Sequence, residues 1–137
     1  MQTFLPYESF KHSAKCLDYK RLGKQRVEAF QLIKSHILGD KYSWSKHPAS
    51  KMWLGYTGSL VEYSIKITTE WIKRGYNDTM LERFLILQER FPDTSKPKFL
   101  GKRKFHNSHK SNLLRKDFEF YSKYNWNIPT NLNYVWY

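Results

Sequence analysis

Four polar residues between positions 21 and 28 repeat with the period of an α-helix. Arg21, Lys24, Gln25 and Glu28 fall at i, i+3, i+4 and i+7, which places a guanidinium, an ammonium, an amide and a carboxylate on one helix face. The cations can bind phosphate while the carboxylate accepts a proton. This stripe predicts an enzyme site that acts on nucleic acid. The alternative is an exposed helix on which Glu28 pairs with Lys24.

A second donor-rich run occupies residues 105–112, Phe-His-Asn-Ser-His-Lys-Ser-Asn. It is predicted to begin a helix, where free backbone N–H groups bind phosphate. The run contains two histidines without a matched third and fourth ligand, so we predict no metal site. The predicted DNA contacts of the whole chain are Arg26, His47, Lys102, Arg103, Lys104, His106, His109, Lys110, Asn112, Arg115 and Lys116.

The charge of the chain favours a polyanionic partner. Its 137 residues include 24 Lys+Arg against 12 Asp+Glu, a formal charge of +12, and 18% of the residues are aromatic. Cations and flat rings suit phosphates and bases respectively. A solvated lysine-rich surface is the alternative. Double-stranded DNA is the predicted partner, and a membrane is not, because no apolar run approaches the roughly 18–20 residues of a spanning helix.

Several function classes are disfavoured by the motifs. The chain contains no P-loop and no dinucleotide fingerprint, so neither a nucleotide cofactor nor any other cofactor is predicted. Cys16 is the only cysteine, and the first apolar stretch is broken at Pro6 and Glu8. These features predict an intracellular, cytoplasmic protein without disulfides. We expect it to be a monomer.

The elements that must position these residues are helices. Apolar periodicity predicts one helix from Ser9 to about Leu38, ended by Gly39, and a second from Pro48 to Arg74, ended by Gly75. Residues 40–47 form a loop. Gly23, inside the first helix, indicates a kink or a close approach of DNA or another helix.

The rest of the chain is predicted to hold two more helices. Asp78 or Thr79 caps one that runs through Arg90, and Ser108 caps another that runs to about Tyr124. Residues 93–105 form a basic loop, and an extended aromatic tail follows from Asn125. The predicted fold is mainly α: a single domain over residues 1–137, with about four helices and long loops.

Several motifs resemble the pyrimidine-dimer DNA glycosylase and AP-lyase family known from bacteriophages. Residues 71–79, Trp-Ile-Lys-Arg-Gly-Tyr-Asn-Asp-Thr, are similar to a stretch of that family, as are residues 17–20 and 26–27. Residues 1–7, 21–28, 47–48 and 106–117 resemble a divergent branch of small bacterial and viral members more closely. The resemblance covers nearly the whole chain.

The resemblance implies a helical enzyme without metal that binds across the minor groove and bends the duplex. In this family the N-terminal α-amine attacks the sugar C1′, expels the base and forms an imine. A glutamate of the first helix assists, and β-elimination cuts the strand. As a class, α-amines have a pKa of about 7.7–8.0 against about 10.4 for lysine, so far more of the amine is neutral at physiological pH.

Two positions depart from the family pattern. The phage enzyme exposes a threonine after losing its initiator methionine, whereas this chain has Gln2. The nucleophile can therefore be the amine of Met1, the amine of Gln2, or Lys24. Aligning Tyr19 puts Arg21 where the family has its glutamate, and we assign that role to Glu28 because it shares a face with Lys24 and Arg21.

The predicted function is a DNA repair glycosylase, with or without AP-lyase activity, that acts on damaged or modified pyrimidines in double-stranded DNA. Its candidate catalytic residues are Met1, Gln2, Arg21, Lys24, Gln25 and Glu28. The alternatives are a non-catalytic DNA-binding protein with the same fold and an RNA-binding protein. Trp126 and Trp136 either stack on a displaced base or close the core.

Overall fold

A computed structural model describes all of residues 1–137 and contains no β-strand, which confirms the mainly α prediction. The number of helices was predicted wrongly, because seven α-helices replace the expected four. They are α1 (Phe10–Cys16), α2 (Tyr19–Leu38), α3 (Pro48–Trp53), α4 (Thr57–Lys73), α5 (Leu81–Arg90), α6 (Arg103–Lys116) and α7 (Phe118–Tyr121). Residues 40–47, predicted as a loop, are mostly within two short 3₁₀ turns.

The first predicted helix is two helices, because Leu17 and Asp18 are extended between α1 and α2. The hydroxyl of Tyr121 accepts a hydrogen bond from the Asp18 backbone N–H at 3.0 Å and donates one to the Asp18 carboxylate. Tyr121 of α7 thus bonds the Asp18 backbone N–H, which an unbroken helix would pair internally. Nothing in the local periodicity indicates that partner, which lies 103 residues away.

The second predicted helix is also divided. Leu54 is extended and Gly55 has a φ of +88°, a left-handed value that favours glycine, so the chain turns between α3 and α4. Gly39 and Gly75 end α2 and the turn after α4 at φ values of +65° and +93°, as predicted. Asp78 caps α5 as predicted, since its carboxylate accepts from the backbone N–H groups of Met80 and Leu81.

Helix α6 begins earlier than predicted, because Lys102 and not Ser108 is its N-cap residue, and it runs from Arg103 to Lys116. Ser108 therefore lies inside the helix, buried, with its hydroxyl donating to the Phe105 carbonyl at 2.7 Å. The break after Lys116 comes from Asp117, whose side chain caps α7 by accepting from the Phe120 N–H. The basic loop is correspondingly shorter, because Arg103 and Lys104 form the first turn of α6.

The packing of α2 against α4 forms the centre of the core. A Cβ added to Gly23 would lie 2.9 Å from the Trp71 ring, so glycine lets the two helices approach closely, as the sequence predicted. The predicted apolar stripes are mainly interior: Leu22 and Ile33 of α2 and Leu60 and Ile67 of α4 are 0% exposed. The two helices form a rigid support for the polar face of α2.

Two segments without regular structure pack against this helical core. Residues 2–5 are buried at the N-terminal end, and the tail from Asn125 is extended along α6, as predicted. A buried backbone without helix or sheet partners must find other partners for its N–H and C=O groups. Side chains of α2, α4 and α6 supply many of them, and this decides where the candidate site forms.

Candidate active site

The six residues predicted to be catalytic line one pocket. Its volume is about 480 Å³, and it is bounded by α2, the N-terminal segment, the end of α6 and the tail. Its lining consists of Met1, Gln2, Phe4, Lys20, Arg21, Lys24, Gln25, Glu28, Lys116 and Tyr134. The i, i+3, i+4, i+7 stripe is therefore one wall of a cavity that also contains the N-terminus.

Glu28 is joined to the N-terminal segment. Its Oε2 accepts a hydrogen bond from the Gln2 backbone N–H at 3.2 Å and another from the Gln25 amide at 3.2 Å. The alternative prediction, an ion pair between Glu28 and Lys24, is not formed. The carboxylate is thus held next to the first peptide bond of the chain, one residue from the α-amine of Met1.

Gln25 is the residue around which the segment is organised. Its side-chain amide donates to the Gln2 carbonyl at 2.8 Å, and its Oε1 accepts from the Phe4 N–H at 3.1 Å. The hydroxyl of Tyr63, a buried residue of α4, lies 2.9 Å from the Phe4 carbonyl and 2.7 Å from the same Oε1. Every polar atom of the Gln25 amide is occupied, so its orientation is fixed.

Cations surround the open side of the pocket. Lys20, Lys24 and Lys116 are exposed and form no ion pair, while Arg21 bonds the Asp18 carboxylate at 3.2 Å. Only four of the 24 basic side chains of the whole protein form ion pairs. Unpaired lysines around a concave surface concentrate polyanions there.

His47, predicted as a DNA contact, lies close to the N-terminus. Its Nδ1 accepts from the Ala49 N–H at 3.0 Å and so caps α3. Burial lowers the pKa of His47, and so does the positive charge of the Met1 amine, whereas Glu28 acts in the opposite direction. The ring also packs edge-on against Trp44 and Trp136. His47 therefore belongs to the surroundings of the pocket and is half-buried.

The first 83 residues match the family model described as pyrimidine dimer DNA glycosylase. That match includes the N-terminal segment, all of α2 and α4, and eight of the ten pocket residues. The chain belongs to the pyrimidine dimer DNA glycosylase family. Comparison with curated proteins finds no significant match, and comparison with solved structures finds none either. Membership in a DNA repair glycosylase family makes DNA the expected substrate of the protein.

Beyond the family match, the cations at the start of α6 are placed as a surface that DNA can contact. Lys102, Arg103 and Lys104 are exposed. At 1.5 Å per residue, α6 separates them from Lys116 at the pocket by about 20 Å. That distance corresponds to roughly six base pairs of B-DNA at 3.4 Å each.

None of the helices of this glycosylase-family protein combines the length and the apolar character that crossing a bilayer requires.

Two of the predicted DNA contacts, His106 and His109, have side chains that lie in the interior. His109 is 0% exposed and His106 is 7% exposed. His109 Nδ1 accepts from the Leu5 N–H at 2.9 Å, while His106 Nδ1 lies 2.8 Å from the Leu5 carbonyl. Both ring nitrogens of His106 and the Nδ1 of His109 are therefore hydrogen-bonded to the protein's own backbone.

Asn112 and Arg115, also predicted as DNA contacts, form hydrogen bonds within the protein. Asn112 is buried, and its amide donates to the carbonyls of Ser108 and Leu132. The guanidinium of Arg115 donates to the Leu132 carbonyl at 2.9 Å and to the Thr130 carbonyl. These side chains hold the C-terminal tail against α6, so their hydrogen-bonding capacity is used inside the fold.

Arg26 and Lys110 are also involved in internal contacts. The Arg26 guanidinium pairs with Asp78 and lies 4.4 Å above the Trp71 ring, which makes it a tie between α2 and the start of α5. Lys110 is half-buried above the rings of Tyr7 and Trp126. Trp126 itself donates from Nε1 to the Tyr7 hydroxyl and stacks between tyrosines, so it packs against the core.

Three pocket residues were missed by the sequence reasoning: Phe4, Lys20 and Tyr134. Lys20 precedes the stripe by one residue and lies outside its i, i+3, i+4, i+7 pattern. Tyr134 comes from the tail, and burial raises its pKa to about 12, so it stays a neutral hydroxyl. No spacing in the sequence connects position 134 with position 28. The alternation of aromatic residues in the tail was the one available signal.

Proposed function

We propose that the protein is a DNA glycosylase with AP-lyase activity that acts on damaged pyrimidines in double-stranded DNA, with the α-amine of Met1 as its nucleophile. The observation that carries this proposal is the course of the N-terminal segment, which brings Met1 into the pocket and the Gln2 N–H to 3.2 Å from Glu28 Oε2. A nucleophilic amine next to a fixed carboxylate, inside a ring of cations, suits chemistry at a sugar between two phosphates.

The proposed reaction proceeds in three balanced steps. The neutral α-amine attacks C1′, the bond from C1′ to the base breaks, and the base leaves with a proton. Ring opening and loss of the remaining amine proton give an imine between Met1 and C1′. Removal of a C2′ proton then expels the 3′ phosphate by β-elimination, and water hydrolyses the imine to release the enzyme.

The pocket residues divide these tasks. Glu28 is the proposed acceptor of protons from the amine and from C2′, because it is the only carboxylate in the pocket lining. Arg21, Lys20, Lys24 and Lys116 bind the phosphates on either side of the reacting sugar. Gln25 holds the segment in place. Gln2 is a long residue whose presence favours retention of Met1, and its own nitrogen is already an amide bonded to Glu28.

Borohydride trapping tests the proposal directly. The protein is mixed with a duplex that contains one abasic site, sodium borohydride is added, and the covalent adduct is located by mass spectrometry of peptides. We expect the adduct on the Met1 α-amine. Lys24→Arg keeps the positive charge but removes the competing primary amine, and we expect it to trap as the wild type does.

The outcomes separate the candidate nucleophiles. An adduct on Lys24, or its loss in Lys24→Arg, would contradict the role of Met1. If no adduct forms and the abasic strand stays intact, the lyase proposal fails, and a DNA-binding protein with the glycosylase fold takes its place. Intact-mass measurement of the purified protein shows beforehand whether Met1 and its free amine are present.

A further inference from the structure

We propose that His106 and His109 are positioning residues that set the place of the N-terminal amine by clamping the backbone of Leu5. This inference rests on the proposed function, and it concerns α6, which lies outside the residues matched by the family model. The two histidines bind both backbone polar groups of one residue, Leu5. His109 accepts from the Leu5 N–H, and His106 donates to the Leu5 carbonyl.

The tautomers of both rings follow from these contacts. His106 Nε2 accepts from the Gly101 N–H at 2.9 Å, so its hydrogen is on Nδ1, where it points at the Leu5 carbonyl 2.8 Å away. His109 accepts at Nδ1, so its hydrogen is on Nε2. The two imidazoles are therefore neutral and have opposite tautomers, and only this pair of states satisfies both backbone groups.

Packing alone does not explain why a histidine is buried at position 109. The ring is 0% exposed and lies among aromatic rings, and its Nε2–H has no hydrogen-bond partner. A buried donor without a partner destabilises the fold, and an apolar side chain of similar volume would avoid that loss. What such a side chain cannot supply is an acceptor for the Leu5 N–H.

The clamp completes a series of contacts along the segment. Glu28 and Gln25 bind Gln2, Gln25 and Tyr63 bind Phe4, and the two histidines bind Leu5. Leu5 is the last residue before Pro6 and the turn into α1, so a shift there moves the whole segment relative to Glu28. Displacements of about 1 Å in a reacting group can cost about a hundredfold in rate.

The test uses His109→Leu, which removes the acceptor, and His109→Asn, whose Oδ1 can replace Nδ1. Single-turnover borohydride trapping on the abasic duplex gives the rate of imine formation, and fluorescence anisotropy with a tetrahydrofuran duplex gives the affinity. We expect His109→Leu to lower the trapping rate about ten- to a hundredfold with unchanged affinity. His109→Asn should restore most of the rate, and His106→Leu should reproduce the loss.

His36→Leu is the matched control. His36 also uses both ring nitrogens internally, on Thr57 and on the Ser50 carbonyl, but it does not contact the N-terminal segment. We expect it to lower stability without lowering the trapping rate of the folded protein. Equal slowing by His36→Leu and His109→Leu, or wild-type trapping by His109→Leu, would overturn the inference.

Hydrogen exchange tests the clamp without DNA. In the wild type, the amide of Leu5 should exchange slowly, and in His109→Leu the N-terminal peptic peptide that contains it should exchange faster while α4 keeps its protection. Unchanged protection of that peptide would overturn the clamp. Should the wild-type protein form no imine, the proposed function fails by the trapping measurement, while the exchange measurement still decides the inference about Leu5.

Discussion

The polar face of α2 and the polar run of α6 present the same kind of sequence signal but have opposite fates in the fold. The stripe of α2 lines a pocket with solvent, cations and the N-terminus. The run of α6 is almost entirely interior, and its donors and acceptors bind backbone on two sides. His106 and His109 bind the N-terminal segment, whereas Ser108, Ser111 and Asn112 bind the C-terminal tail.

The difference shows what a donor-rich helix does when extended chain lies on it. α2 packs its apolar face on α4, which leaves its polar face for a ligand. α6 packs against two segments that have no strand partners, so its polar residues take the place of a neighbouring strand. A donor-rich sequence therefore indicates that a helix can form many hydrogen bonds. Whether its partner is a ligand or the protein's own backbone depends on which segments pack against that helix.

The largest effect is expected on the α2 side, from Glu28→Gln. The amide keeps an oxygen that can accept from the Gln2 N–H, so the pocket loses only the proton acceptor. We expect imine trapping and strand cleavage under single turnover to slow by about 10²–10⁴-fold, the range of general-base catalysis. Glu119→Gln, an exposed carboxylate of α7, is the control. Equal rates in the two variants would show that Glu28 takes no part in the reaction.

The effect of acid on stability tests the buried histidines of α6. Burial, together with the neighbouring His106, lowers the pKa of His109 from 6.5 to about 3, and burial also lowers the pKa of His106. Below pH 6.5 the unfolded chain binds protons that the folded chain excludes. The contribution of these neutral histidines to the free energy of unfolding is therefore complete above pH 6.5. It decreases as the pH falls toward 3, by about 1.4 kcal/mol per pH unit for each proton that only the unfolded chain binds.

Urea unfolding of the wild type and of His109→Leu at two values, near pH 7 and near pH 5, checks this sign. The wild type should lose about 2 kcal/mol more than the variant on acidification, because the carboxylates common to both contribute equally. An identical loss in both proteins would show that His109 takes up its proton in the folded state.

Asn112→Leu tests whether the interior polar residues of α6 serve the fold. Leucine has a similar volume but removes the hydrogen bonds of the Asn112 amide to the Ser108 and Leu132 carbonyls and the one that Asn112 accepts from Arg115. We expect a loss of about 1–3 kcal/mol in the free energy of unfolding and no change in DNA affinity of the folded protein. Asn107→Leu, on the same helix and without a side-chain hydrogen bond, is the comparison. A weaker DNA affinity with full stability would return Asn112 to the DNA surface.

The smallest effect is expected from Lys116→Ala, at the end of α6 that reaches the pocket. Removing one exposed phosphate contact should lower the slope of log affinity against log salt by about 1. The free energy of unfolding should change by less than about 0.5 kcal/mol. Lys66→Ala, an exposed lysine of α4 outside the pocket lining, provides the reference. An unchanged salt slope would place Lys116 off the DNA path.

Local patterns predicted much of this architecture. The helical class, the close approach at Gly23, the glycine stops and the stripe at positions 21–28 depend on residues within a few turns of one another. The break at Asp18 depends on Tyr121, and the break at Gly55 depends on a turn between two apolar segments. The burial of His109 depends on its contact with Leu5. Contacts across more than 100 residues have no periodicity, so the interior half of α6 could not be distinguished from a DNA-binding surface.

The long separation between Leu5 and His109 also orders events during synthesis. The N-terminal segment leaves the ribosome first, yet its contacts with His106 and His109 form only after α6 has emerged, since Leu5 and His109 are 104 residues apart. At about 5–20 residues per second, that delay is several seconds or more. Loop closure of this length is slow relative to helix formation. A nascent chain that consists of α1 to α5 can therefore fold its helical core before α6 holds the N-terminal segment in place, and the pocket is complete only after α6 and the tail have been synthesised.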